Sequence, residues 1–346
     1  ICRRLDGIPL AIELAAARLK MLSLEQILGR LEDRFSLLTE GSRTALPRHQ
    51  TLRALIDWSY DLISEEEREV FCALSVFQGG FTLTAAEAVC GIEEILVPFS
   101  HLVDRSLIMV EESAFGEMRY RLLESLREYA AEKLKERVEE EVVQERFSQW
   151  AVDWLTEISK RLLQTSRIEW QQRIDKEYEN LRRALQIAPP GDLKGRLVNE
   201  LDRYWYMRSS VHEAEHWLLS ALEGASSMTE ATLCRVQGAL GMTYWQKADN
   251  PSARKHLLEA LRLAHKTGNS TLQANVGLGL VEAAERNYEE ALGYYAEALR
   301  DSEERSHRPT RATVLSNMAC LYLDRDEFEK ARTFFHQSRQ CWQEEG

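Results

Sequence analysis

The chain has 346 residues, 44% of them apolar, which is enough to build two or three packed domains and their cores. Only 7 prolines and 17 glycines, beside abundant Ala, Leu, Glu and Arg, point to a mainly α protein rather than a sandwich or barrel. A net charge of -12 disfavours a large nucleic-acid-binding surface, because phosphate neutralisation needs clustered Lys and Arg.

Ile1 is read as lying inside a helix, so the chain looks like a piece of something longer. Gly7 can stop this first helix in a left-handed conformation and Pro9 can open the next, which sets a sharp corner between them. One helix is expected from Leu10 to Met21, and a second, capped by Ser23 with Gln26 three residues on, to about Leu38. Gly41 and Pro47 then break the pattern.

From Gln50 to Ile63 the apolar residues Leu52, Leu55, Ile56 and Leu62 fall on one helical face. Ser64 and Glu67 form a capping box for a helix that ends near Phe77. Short helices are expected from Thr84 to Cys90, with Gly91 beyond the end, and from about Glu93 to Arg105. The period then changes: Leu107 to Val110 and Met118 to Leu122 read as strands closed by Ser113 to Gly116, followed by a helix from Glu124 to about Arg137. Three helices, a two-stranded ribbon and a further helix give the order of a winged-helix domain over 48–137.

Amphipathic helix resumes from Glu139 to Ala188, with Trp150, Trp154, Leu155, Ile158, Leu162, Trp170, Ile174, Leu181 and Leu185 as core positions. Pro189-Pro190-Gly191-Asp192 punctuates the chain, and an internal repeat follows. Ala214, Ala253, Ala291 and Ala331 recur 38 to 40 residues apart. Three and four residues after them stand Trp217-Leu218, His256-Leu257, Tyr294-Tyr295 and Phe334-Phe335, and Gly241, Gly279 and Ala319 stand twelve before. Small residues at fixed points let two helices approach closely and large ones fill the space between units; the pattern resembles tetratricopeptide (TPR) repeats with lengthened connections. The last unit stops at Gly346 without a capping helix, which again suggests a truncated sequence.

His212-Glu213-Ala214-Glu215-His216 matches H-E-x-x-H, which on a helix can place two histidines on zinc with Glu213 as general base. The repeat register opposes this, because His212 takes the place of Glu289 and Glu329 and His216 that of Gly293 and Thr333, variable positions expected to face solvent. No metal site is therefore expected. There is no G-x-x-x-x-G-K-[ST] loop, so no ATPase activity is expected of the chain itself. Over Arg48 to Arg137 ten Lys and Arg stand against seventeen Asp and Glu, and Arg105 is the one cation between Glu93 and Glu117, which argues against DNA contact by the winged helix. No apolar run approaches the roughly 18 residues of a spanning helix. Six cysteines without C-x-x-C spacing read as thiols of a reducing cytoplasm.

Gly7-Ile8-Pro9-Leu10-Ala11, the segments Gln50 to Leu62, Leu74 to Phe77, Gly80 to Thr82 and Tyr120 to Ala130, and Asp175 to Leu185 together resemble the bacterial STAND class of signalling ATPases. The likeness is to its NB-ARC-like branch of transcriptional regulators. The resemblance implies that 1–47 are the last helices of the nucleotide-binding module, 48–137 the winged helix, 138–190 helices opening the superhelix and 191–346 the TPR repeats. It also implies that Pro9 lies against the adenine of ATP or ADP, with Gly7 shaping the turn. In NB-ARC relatives a Met-His-Asp triplet puts a histidine near the terminal phosphate; aligned on Leu126-Arg127, that triplet falls on Leu122-Leu123-Glu124. Leucine donates no hydrogen bond, so Arg121 or Arg127 would have to substitute, unless both are structural residues of the wing and its helix.

What the resemblance implies overall is the regulatory part of a cytoplasmic bacterial ATPase that controls transcription. The nucleotide-binding domain would act in cis, and an unknown protein or small-molecule inducer would bind the TPR superhelix. The parent would oligomerise with its nucleotide state, while this part would touch neither nucleic acid nor membrane. The alternatives are a free-standing TPR scaffold, a zinc metallopeptidase through His212 and His216, and a DNA-binding winged helix.

Overall fold

Residues 52–92, 94–112, 118–161, 167–305 and 308–343, with Ser23 and Gln26, are described by the computed structural model of the chain. Gly7 and Pro9 lie outside the described residues, as do the other features expected before residue 52, apart from one: Ser23 and Gln26 make the reciprocal bonds expected of a capping box, at 3.2 and 3.0 Å.

The first helices are α1 (Leu52–Asp61), α2 (Glu65–Ala73), α3 (Leu83–Cys90) and α4 (Leu96–Asp104). A hairpin of β1 (Met109–Glu112) and β2 (Met118–Arg121) follows, and then α5 (Glu124–Lys135). Ser64 and Glu67 form the expected capping box on α2, which holds two amide groups that the helix itself leaves without partners. Thr82 caps α3 by accepting from Ala85 N, so this helix starts earlier than its sequence suggests. Gly91 ends it at φ 64°.

Strand β1 starts two residues later than expected. Ser106 turns at φ 58°, and the amides of Leu107 and Ile108 donate to Leu102 O, which commits both residues to closing α4 before pairing can begin. The ladder pairs Val110 with Tyr120, and Phe81 bridges Tyr120 from the other side.

Two long helices come next, α6 (Glu140–Arg161) and α7 (Arg167–Ile187). Both change unit along their length: one compact unit takes the chain to Asp153 together with Gln172–Ile187, and the other takes Trp154–Gln171 and Ala188–Gly346. In the first unit Phe77 stacks on Phe81 at 4.7 Å and meets Phe147 and Trp150 of α6 edge-on, while Phe99 of α4 meets Tyr120 at 4.8 Å. This aromatic cluster is the heart of the winged-helix core.

The second unit is built from four helix pairs. They are α8 (Asp192–Arg208) with α9 (Val211–Leu222), α10 (Glu230–Gln246) with α11 (Asn250–Thr267), α12 (Leu272–Ala284) with α13 (Tyr288–Glu304), and α14 (Arg308–Asp324) with α15 (Phe328–Gln343). The repeated alanines are buried at the start of each second helix. A Cβ on Gly241 would stand 2.5 Å from Leu257 Cγ, and one on Gly279 would strike the Tyr295 ring. The small residues are thus required by the close crossing inside the second and third pairs. Among the described residues the architecture is mainly α, with one hairpin and a TPR-like solenoid, as expected.

The turn inside each pair carries a second repeat signal. Ser209, Ala248, Arg286 and Asp326, each five residues before a repeated alanine, all have φ between 53° and 63°. None is glycine, so each turn holds a side chain in the left-handed region at a cost of roughly 1 kcal/mol. Replacing Ala248 by Gly should therefore raise unfolding free energy by about 0.5–1 kcal/mol, offset in part by the freer unfolded chain, and urea titration of the two proteins checks it.

Asp202 stands twelve residues before Ala214, in the place of Gly241, Gly279 and Ala319, so the first pair puts a carboxylate where the others put a small residue. Burial pushes its pKa up to about 6, with Arg235 offsetting part of the effect. A raised carboxylate pKa means the neutral acid is the form the fold tolerates. Its own contribution to stability should be most favourable below the ordinary value of 3.8 and be lost as pH rises to about 6, opposite in sign to that of the carboxylates whose pKa values are lowered, such as Glu67 and Asp301. Asp202→Ala should stabilise the protein by on the order of 2 kcal/mol at pH 8 and by much less at pH 4; equal gains at both pH values in denaturant titrations would refute the assignment.

Candidate regulatory site on the winged helix

Two segments that carry the resemblance, Gly80 to Thr82 and Asp175 to Leu185, meet in the first unit beside strand β2. Arg119 on β2 is buried and forms an ion pair with buried Glu177 of α7. Its other terminal nitrogen donates to Gly80 O at 2.5 Å. Asn180, one turn beyond Glu177, completes the network. Its Oδ1 accepts from the amides of Gln78 and Gly79, both at 3.0 Å, while its Nδ2 donates to Gly80 O at 2.9 Å and to Glu177 Oε2 at 2.7 Å. The buried Arg119, Glu177 and Asn180 side chains satisfy one another and the main chain of the loop, and α7 is fixed to both the 78–80 loop and the wing.

Arg121 and Arg127, the proposed substitutes for a phosphate-sensing histidine, each have a carboxylate partner. Arg121 pairs with Glu111 across the hairpin, and Arg127 donates to Glu124 on its own helix at 2.5 and 3.2 Å. Leu122 is buried and Leu123 is the residue that precedes α5. Near Arg127 lies Arg183 of α7, whose guanidinium pKa is lowered first by burial and then by the Arg127 charge. Sequence reasoning missed the Arg119–Glu177–Asn180 network, since nothing in a one-dimensional pattern joins residues 58 to 102 positions apart.

Helix α4, the last before the hairpin, has His101 as its basic residue and no Lys or Arg. His101 Nδ1 is 2.8 Å from Glu67 Oε1, and Arg105 just beyond the helix donates to Leu62 O at 2.9 Å. The carboxyl of Glu67 would be raised by burial, but the Ser64 amide and His101 outweigh that and hold it below its ordinary value. A DNA-reading helix would offer its cations to phosphates; here the two basic groups are engaged with the protein itself.

On α9, His212 and His216 are both exposed, and Glu215 pairs with Lys247 at 2.7 Å. Among the described residues no three His, Cys, Asp or Glu side chains gather as metal ligands, and no helix is long and apolar enough to cross a membrane.

The fold and this site define a winged helix joined in one chain to TPR repeats. Residues 63–135 match the family described as a winged helix-turn-helix domain, and residues 270–344 match the tetratricopeptide repeat family. The chain is 35% identical over 318 residues to a "Putative HTH-type transcriptional regulator" of Mycobacterium tuberculosis and to its counterpart in Mycobacterium bovis, covering 86% of this chain and 35% of each relative. It is 46% identical over 153 residues to an uncharacterised protein of Mycobacterium tuberculosis, covering 42% of this chain and 39% of the relative. The chain therefore spans about a third of the length of the curated relatives it matches. Among solved structures, a STAND protein with a tetratricopeptide repeat sensor from Pyrococcus horikoshii aligns with 96% of this chain and 59% of its own, at 16% identity and a TM-score of 0.40.

The two family matches fall in the order read from the sequence, a winged helix followed in the same chain by TPR repeats.

Proposed function

We propose that this chain is the switch and sensor portion of a cytoplasmic bacterial signalling ATPase that controls transcription. The TPR superhelix binds an inducer, and the winged helix passes that event to a nucleotide-binding module in cis. In this reading Pro9 lies on the adenine side of bound ATP or ADP and Gly7 shapes the turn, while Arg121 and Arg127 serve the wing and α5. The chain alone hydrolyses nothing, and the parent oligomerises with its nucleotide state.

The observation that carries the reading is the network of Arg119, Glu177 and Asn180. It clamps to the winged helix one part of α7, a helix whose earlier residues, to Gln171, count with the repeat unit. An inducer shifts the closed and open populations only by as much as it prefers one of them.

Two results test this. The gene should encode a P-loop upstream of Ile1 within one domain's length, about 150 to 250 residues. In that full-length protein, exchanging ADP for ATP should change hydrogen exchange at residues 118–121 and 177–180. A gene without the loop would favour the free-standing TPR scaffold, and nucleotide-independent exchange would remove the switch.

A further inference from the structure

Glu177 and Asn180 stand three residues apart on α7 and share one helix face, and Arg183 continues that face a turn further on. The first two each meet a complementary group: Glu177 takes Arg119, and Asn180 takes the main chain of the 78–80 loop. Arg183 meets none. It is half-buried, its Nε is closed off from solvent, and among the described residues that nitrogen has no hydrogen-bond partner.

What stands beside Arg183 is a second cation. Burial and then the charge of Arg127 on α5 both disfavour the Arg183 guanidinium, and the Arg127 side chain is itself only 14% exposed. Two carboxylates lie in the neighbourhood, and both are engaged. Glu124 accepts from Arg127 Nε and Nη2, while Glu140 of α6, whose attraction for Arg183 is weaker than the Arg127 repulsion, accepts from Gln144 at 2.9 Å. A guanidinium cannot escape by giving up its proton. A shielded, unpaired cation set against another is costly unless an anion joins them.

We propose that Arg183 and Arg127 form a binding site for a phosphate-type oxyanion between α7 and α5. Arg183 supplies a whole guanidinium fork, and Arg127 supplies Nη1, which Glu124 leaves unbonded. Donors arriving from two helices suit the tetrahedral oxygens of a phosphate. The planar pair of a carboxylate is satisfied by one fork, as Glu124 already is by Arg127. Bound there, the anion ties α7 to α5 one turn beyond the Asn180 clamp and reinforces the hold of α7 on the winged helix. The site rests on these residues and not on a nucleotide module acting in cis.

The test is calorimetric titration of the whole chain with inorganic pyrophosphate and, separately, with ADP and with acetate at matched ionic strength. Pyrophosphate should bind at one site and add hydrogen-exchange protection at 124–128 and 180–186. ADP binding as tightly would make a nucleotide the source of the oxyanion, and much weaker ADP binding would make it free phosphate; the site stands in either case. Arg183→Gln should weaken pyrophosphate binding about tenfold. Arg183→Lys should fall between the two, since an ammonium restores the charge but not the fork. In phosphate-free buffer Arg183→Gln should melt no lower than the parent, because it removes a repulsion. A lower melting temperature there would make Arg183 a structural residue and overturn the proposal. So would pyrophosphate binding that is absent, unchanged by Arg183→Gln, or matched by acetate.

Discussion

Glu177→Ala should cost the winged-helix unit about 3–5 kcal/mol, because it leaves the buried Arg119 guanidinium without its counter-charge. It also removes one of the two acceptors of Asn180 Nδ2, so the loop at 78–80 loses part of its support. The measurement is urea unfolding followed by tryptophan emission, with Trp150 packed beside Phe77 and Phe147 reporting on this unit. Removing the charge from both partners is a different experiment. An Arg119→Met, Glu177→Leu double variant should recover much of the loss, since paired apolar residues leave no buried charge to solvate. The interaction energy from the cycle should be clearly non-zero. Additive losses would mean that the two side chains do not depend on each other.

Tyr295→Ala should be comparably severe, about 3–5 kcal/mol, but confined in space. The ring fills the gap between Gly279 within its own pair and Val314, Met318 and Leu321 of the next. Its loss opens a cavity at an interface between repeats rather than inside a single globular core. In a solenoid each unit leans only on its neighbours, so α14 and α15 should unfold at lower denaturant than α8 to α11, splitting one transition into two. Hydrogen exchange along the repeats checks this. A single uniformly shifted transition would show that the array unfolds as one body.

Much of the architecture was legible because it is periodic. The alanines at 214, 253, 291 and 331 set the helix pairs, and the small residues twelve positions earlier mark where helices cross. The capping box at Ser64 and Glu67 was legible for a similar reason, being a local contract over four residues. Strand β1 was misplaced by two residues since Leu107 and Ile108 look like strand in composition, while their amides are already taken by Leu102 O. The clamp was not legible at all. Glu177 and Asn180 sit on an amphipathic helix in which polar residues are expected, and only folding shows that these two face a glycine loop. Asp202 is intermediate: its register position is visible in the sequence, but its raised pKa depends on how tightly the first pair surrounds it.

The Asn180 clamp also sets a pattern of mutational tolerance. Its three bonds to the loop end on main-chain atoms of Gln78, Gly79 and Gly80, so the Gln78 side chain is free to vary without touching the lock. Gly80 is not free, because a Cβ there would stand 3.2 Å from Tyr120 O and 3.4 Å from Arg119 Nε. A saturation scan of this loop should therefore read as permissive at 78 and restrictive at 80, with Asn180 the least replaceable, since its amide both donates and accepts in one fixed orientation.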